Sequence, residues 1–201
     1  MGAVTRAVLA EGMRRAMRHA GCCDEFRQLL GKYARPDDTL ILAGDLVNKG
    51  PKSAEVVALA RERRALAVVG NHELASLRAW TKRAGGANPD VETYYAWTDG
   101  LAEEDVDFLR NLPFTISLTL HGAVVVHAGL VPGIPLHEQS PLTMVTMRNL
   151  HRLVGDTRGG HGDRDGGYEA SESCKNGSAW APLWQGPEHI YFGYMMHFVA
   201  R

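Results

Sequence analysis

Cysteine is scarce in this chain: three in 201 residues, with Cys22 and Cys23 adjacent and Cys174 far away. That spacing excludes a disulfide framework and favours a reducing compartment, so a cytoplasmic location is expected. No apolar run approaches the roughly 20 residues that a membrane-spanning helix needs. Neither charge sign is in excess, since 22 Lys and Arg face 23 Asp and Glu for a net charge of -1. That balance gives no reason to expect nucleic acid or a membrane surface as partner. Internal repeats are absent as well, which excludes a solenoid or propeller. Serine is missing from residues 1 to 23, a stretch that nevertheless carries Arg6, Arg14, Arg15 and Arg18 against the single acid Glu11. An ordinary basic helix is the preferred reading, with a mitochondrial presequence as the alternative. Arg6 stands where a myristoylation signal requires Ser or Thr, so Gly2 is not an acyl acceptor.

What is present suits one globular domain, with 45% hydrophobic and 22% charged residues. Two short apolar runs, Thr39 to Ala43 and Leu66 to Val69, are each closed by glycine, as buried parallel strands tend to be. Between them Pro51 to Arg64 reads as a helix, with Val56, Leu59 and Ala60 at helical spacing and Arg61, Arg63 and Arg64 near its end. A strand, helix, strand unit of this kind is parallel and right-handed. It brings the loops at the strand ends together, and with them Asp45, from Gly44-Asp45-Leu46-Val47-Asn48-Lys49-Gly50, and Asn71, from Gly70-Asn71-His72-Glu73. A carboxylate, an amide oxygen and an imidazole form a donor set for hard divalent cations and proton transfer.

The paired blocks "GDLVNKG" and "GNHE" resemble the second and third motifs of calcineurin-like metallophosphoesterases, in the branch that includes the phosphoprotein phosphatases. A third block, "VVHAGLVPGIPL" after Ala123 to Val126, is similar to the segment that delivers a metal-binding His in that family. Asn48-Lys49 and the Arg148 of "MRNL" resemble the ApaH-like phosphatases, relatives of bacterial symmetrical diadenosine tetraphosphatases. The resemblance spans roughly Gly21 to Gly193. It implies an α/β sandwich of two sheets flanked by helices. It also implies a hydrolase using two divalent metals (Mn, Fe, Zn or Mg) on a nucleoside polyphosphate, a capped RNA end or a phosphoprotein. By resemblance Asp45, Asn71 and His127 are metal ligands, His72 is the proton donor oriented by Asn48, and Lys49 and Arg148 bind phosphate.

The outer motifs depart from that pattern. Before Cys22-Cys23-Asp24-Glu25-Phe26 the family places Gly-Asp-x-His-Gly, whereas this chain has Arg18 at the Asp position and Ala20 at the His position, with His19 one residue off. Residues 5 to 20 are rich in helix formers, so a helix is expected in place of the first strand, and 1 to 20 read as an atypical basic segment ahead of a domain over 21 to 201. At the other end "HIYFG" continues into Tyr194, where the family has a His ligand, and His197 is three residues late. The fold is therefore expected to be incomplete at both termini, with one metal retained or weakly bound and activity impaired. A non-catalytic phosphate-binding or regulatory fragment is the alternative.

Elsewhere Glu73 to Arg83 and Glu103 to Asn111 read as helices, and "FTISLTL" with "AVVVHAG" as a hairpin turning at His121-Gly122. Tyr94, Tyr95 and Trp97 form an aromatic cluster that either packs the core or stacks a base, packing being the expectation. Residues 155 to 178 carry glycines and charges without an apolar period and read as a loop or disordered insertion, whose His161, Asp163 and Asp165 lack the terminal Glu of a calcium loop.

Overall fold

A computed structural model describes residues 7–8, 21–35, 37–85, 93–153 and 167–193, and divides the chain into two compact units, 1–116 and 117–201. In the first, strands β1 (Ala7–Val8), β2 (Thr39–Leu42) and β3 (Leu66–Ala67) form a three-stranded sheet in that order. Both pairings are parallel, with Ala7 opposite Thr39 and Ile41 opposite Leu66. Parallel strands need a crossover, and α2 (Ser53–Glu62) supplies it between β2 and β3. Ala7 and Val8 correct the expected helix over residues 5 to 20 at those two positions. The physical reason is that β2 offers a free parallel edge there, and tertiary pairing overrides helix propensity. Arg18, His19 and Ala20 lie outside the described residues.

Helix α1 (Cys23–Tyr33) carries Asp24 and Glu25 in its first turn and Lys32 in its last, matching the helix dipole. It buries Cys23, Phe26, Leu29 and Leu30 on one face. Helix α2 buries Val56, Val57, Leu59 and Ala60, and its Arg61 donates from Nε to Asp105 Oδ1 at 2.8 Å on α4 (Glu103–Arg110). Helix α3 (Asn71–Ala84) and a 3-10 segment (Thr93–Gly100) complete this unit. Its core runs from Phe26 and Leu30 through Leu42, Leu46, Val47 and Val57 to Leu109, with Trp97 and Phe108 against it.

Strand β4 (Thr115–Leu118), whose last two residues open the second unit, β5 (Ala123–Val126) and β9 (His189–Phe192) are neighbours in that order, and β5 and β9 run parallel with Val126 opposite Phe192. The expected turn between β4 and β5 is a 3-10 turn, Thr119–His121, closed by Gly122 at φ 55°. All four β5 residues are buried. Helix α5 (Pro141–Thr146) leads to β6 (Asn149–Arg152), which pairs antiparallel with β7 (Tyr168–Ser171) and β8 (Ser178–Ala179). Strand β7 corrects the reading of 155 to 178 as loop: Tyr168 and Ala170 pack against the Val131, Met147, Leu150 and Trp180 cluster, a face too short to show as a sequence period. His161, Asp163 and Asp165 lie outside the described residues, as do Tyr194 and His197.

Candidate active site

The loop after β2 begins at Gly44, φ 80°, and continues through Asp45 at φ 56° and Asn48 at φ 98°. A left-handed backbone is costly for a side-chain-bearing residue and persists only where surrounding contacts over-determine it. Glu73 provides much of that constraint. It is fully buried, and its carboxylate accepts from the amides of Asp45 at 2.8 Å, Leu46 at 2.6 Å and Gly70 at 2.8 Å. The Gly70 bond is the glutamate half of a capping box at the start of α3; the other half is missing because glycine has no side chain. One carboxylate thus ties the Asp45 loop to the helix that begins with Asn71. Burial and the nearby Asp45 charge push the Glu73 carboxyl up to about 7, while the three amide donors pull the other way. In the sequence alone the one signal for this role of Glu73 is its position three residues after a helix-capping glycine.

Asp45 itself is half-buried over the first turn of α3. Its Oδ1 accepts from the His72 amide at 3.2 Å, and its Oδ2 lies 3.7 Å from His72 Nε2. A helix N-terminus favours an anion there. Gly70 is obligatory beside it, because an added Cβ would fall 2.5 Å from Asp45 Oδ1 and 2.6 Å from the Asp45 amide nitrogen. The structure therefore brings Asp45, Asn71 and His72 together in the first unit.

Asn48 is buried in the same unit, and its amide nitrogen donates to Ser53 Oγ at 2.9 Å. Its Oδ1 accepts from Trp97 Nε1 at 3.2 Å and lies 3.4 Å from Ser76 Oγ, which donates to the His72 carbonyl at 2.8 Å. An indole nitrogen only donates, so the oxygen of the amide must be the atom facing Trp97. Neither Trp97 nor Ser76 was singled out as a partner of this loop by the sequence. Lys49, next along, is exposed. Gly21 closes the loop from the other side: its amide donates to the Leu46 carbonyl at 2.9 Å, and its carbonyl accepts from the Lys52 amide at 3.0 Å.

His127 and Arg148 belong to the second unit. His127 directly follows β5 and is buried; its carbonyl accepts from the Gly193 amide at 3.0 Å, just past β9. Ala128 donates to the Met144 carbonyl at 2.8 Å and accepts from Trp180 Nε1 at 3.1 Å. Arg148 is half-buried between α5 and β6, and its amide donates to the Ser171 carbonyl at 2.8 Å.

The calcineurin-like phosphoesterase family profile matches residues 19–185, which includes every one of these positions. The chain belongs to the calcineurin-like phosphoesterase family. Among similar calcineurin-like phosphoesterases, a symmetrical bis(5'-nucleosyl)-tetraphosphatase of Nitrosococcus oceani is 40% identical over 119 residues, covering 56% of this chain and 41% of the relative. The enzyme of the same name from Neisseria gonorrhoeae is 37% identical over 117 residues, covering 56% and 41%. A crystal structure that carries the name of a diadenosine tetraphosphatase is 31% identical, with a TM-score of 0.71 over 87% of this chain and 70% of that one. The fold is accordingly the metallophosphoesterase α/β fold, with helices and several sheets. The chain spans about two-fifths of the length of the curated relatives it matches, 41% for these two.

This family uses divalent metals, and the donor chemistry of the first unit suits one. The Asp45 carboxylate is anionic and hard, and Asn71, half-buried at the first position of α3, offers an amide oxygen. Among the described residues no three His, Cys, Asp or Glu side chains gather as a metal cluster, so a cation here relies on the amide as well.

Proposed function

We propose that this calcineurin-like phosphoesterase is a metal-dependent hydrolase of nucleoside polyphosphates. The observation that carries the reading is the Asp45 carboxylate held on the first turn of α3, 3.7 Å from the His72 ring. A carboxylate and an imidazole fixed side by side by buried backbone bonds serve phosphoryl transfer better than binding alone, which disfavours the fragment reading. The bis(5'-nucleosyl)-tetraphosphatase relatives support the choice of substrate.

The family pattern assigns Asp45, Asn71 and His127 as metal donors. When bound, a divalent cation, manganese being our choice, supplies Lewis-acid charge to the phosphate oxygens and a more acidic water. His72 carries the proton to the departing oxygen. Lys49 meets phosphate oxygens as a point charge and Arg148 as a planar fork. Asn48 sits behind His72 through Ser76, which bears on the carbonyl of His72 and thereby on its placement. Arg18, Ala20 and Tyr194 stand where the family has further ligands, so we assign this chain a single weakly held cation and a reduced rate. We place it in the cytoplasm; no helix of the described residues is long and apolar enough to cross a membrane.

The test is manganese-dependent release of nucleotide from diadenosine tetraphosphate, with Asp45→Asn and His72→Asn beside the wild type. His72→Asn is expected to lower the rate about 10²- to 10⁴-fold. Equal rates in all three proteins would rule out hydrolysis at this site, and a bound-metal count near two per chain would rule out the single-cation assignment.

A further inference from the structure

Within the first unit the 3-10 segment Thr93–Gly100 is bonded to other elements at two residues, Trp97 and Asp99, on either side of a buried Thr98. Trp97 donates from its indole to Asn48 Oδ1 at 3.2 Å. Thr98 is fully buried and donates to the Tyr95 carbonyl at 2.8 Å. Asp99 accepts from Arg83 Nε at 2.7 Å and from a second guanidinium nitrogen, which docks the segment on α3. Tyr94 is different: it is 56% exposed, an unusual condition for an aromatic ring on an otherwise anchored element. Tyr95 meets it edge-on, with ring centroids 5.1 Å apart and planes at 89°. In a 3-10 helix residues three apart are eclipsed, so Tyr94 and Trp97 share one edge, about 6 Å apart along the axis. The Trp97 end of that edge rests on Asn48, the neighbour of Lys49.

We propose that Tyr94 is a base-stacking residue that recognises the nucleoside of the substrate, held one turn out from the phosphate loop by the Trp97–Asn48 bond. This rests on the phosphoesterase reading above. A ring on a pinned segment loses little freedom when a ligand covers it, which is the condition under which stacking adds affinity. A purine or pyrimidine face suits it equally, so the ligand class is a nucleoside polyphosphate and not bare polyphosphate.

The test is calorimetric binding in the His72→Asn background with manganese present, using diadenosine tetraphosphate and inorganic tripolyphosphate as probes. The background protein is expected to bind the dinucleotide about tenfold more tightly than tripolyphosphate. Tyr94→Ala should abolish that preference and leave tripolyphosphate affinity unchanged, while Tyr94→Phe keeps both. A full preference retained in Tyr94→Ala, or no preference in the background protein, overturns the stacking role. Failure of the background protein to bind tripolyphosphate overturns the phosphate-site reading, and the stacking proposal falls with it.

Discussion

The loops carrying Asp45 and His127 each follow a buried strand of a parallel pair, yet they are held by different means. The Asp45 loop is gathered chiefly by one side chain, with Ser53, Trp97 and Gly21 bonding its Asn48 and Leu46. Glu73 gathers three amides from two segments, and Asp45 and Asn48 hold left-handed backbone angles of 56° and 98°. The His127 loop spreads its support over many groups. Gly193 and Met144 bind its main chain, and Trp180 donates to Ala128. Gln139 bonds both the amide and the carbonyl of Val131, each at 2.9 Å. A loop with three of its bonds on one buried carboxylate is more exposed to a single substitution than a loop whose bonds are spread over a ladder, an amide and an indole.

The largest expected effect breaks that contrast at its strongest point. Glu73→Ala leaves three amide donors without their acceptor in a buried place, and should lower unfolding stability by about 3–5 kcal/mol in urea titrations. A loss below 1 kcal/mol would show that the Asp45 loop has other support. Gly70→Ala comes next, at about 2 kcal/mol, because the new methyl collides with the Asp45 backbone and carboxylate. It should also weaken manganese binding, measured by calorimetry on the folded fraction. Trp180→Phe keeps an aromatic ring beside Phe192, whose ring centre lies 4.7 Å away, but removes the indole donor and part of the buried bicyclic ring, so about 1–2 kcal/mol is expected. A loss as great as that of Glu73→Ala would erase the distinction between the loops.

The smallest effect lies on the surface. Lys52 Nζ donates to Asp24 Oδ2 at 2.6 Å, and this bond holds the Asp24 carboxyl below its ordinary value. A lowered folded value adds stability above the ordinary Asp range, which is lost as pH falls through the folded value. Asp24→Asn should therefore lower the melting temperature at pH 7 only slightly, since both groups are exposed, and flatten its decline below about pH 4 as the two proteins converge. A clear drop at neutral pH would make this exposed pair structural.

The polar blocks at Asp45 and Asn71 were legible in the sequence because they obey local rules: an apolar strand, a glycine, then a polar cluster. Strands β2 and β5 and helices α2, α3 and α4 follow directly from apolar spacing. Glu73's local bond to Gly70 follows from its place three residues after the helix cap, but its bonds to Asp45 and Leu46 were not legible, since they join residues 28 and 27 apart and depend on how the loop turns. The Trp97 bond to Asn48, 49 residues away, was hidden for the same reason. Strand β7 was masked by the glycines and charges around it, and β1 by helix-forming neighbours. In both cases the deciding partner, β6 or β2, lies far along the chain.

The chain has four tryptophans, and their indole hydrogens form a ready-made set of spectroscopic probes. Trp97 ends on Asn48 and Trp180 on Ala128, so the Asp45 loop and the His127 loop each have their own side-chain resonance in a nitrogen-edited spectrum. Trp184, bonded to the Glu188 carbonyl at 3.1 Å, and Trp80, beneath the Arg110 guanidinium at 4.8 Å, give two further signals from indoles not bonded to either loop. Titrating metal or nucleotide into the isotopically labelled protein would then show which loop each engages, and in what order, without a mutation.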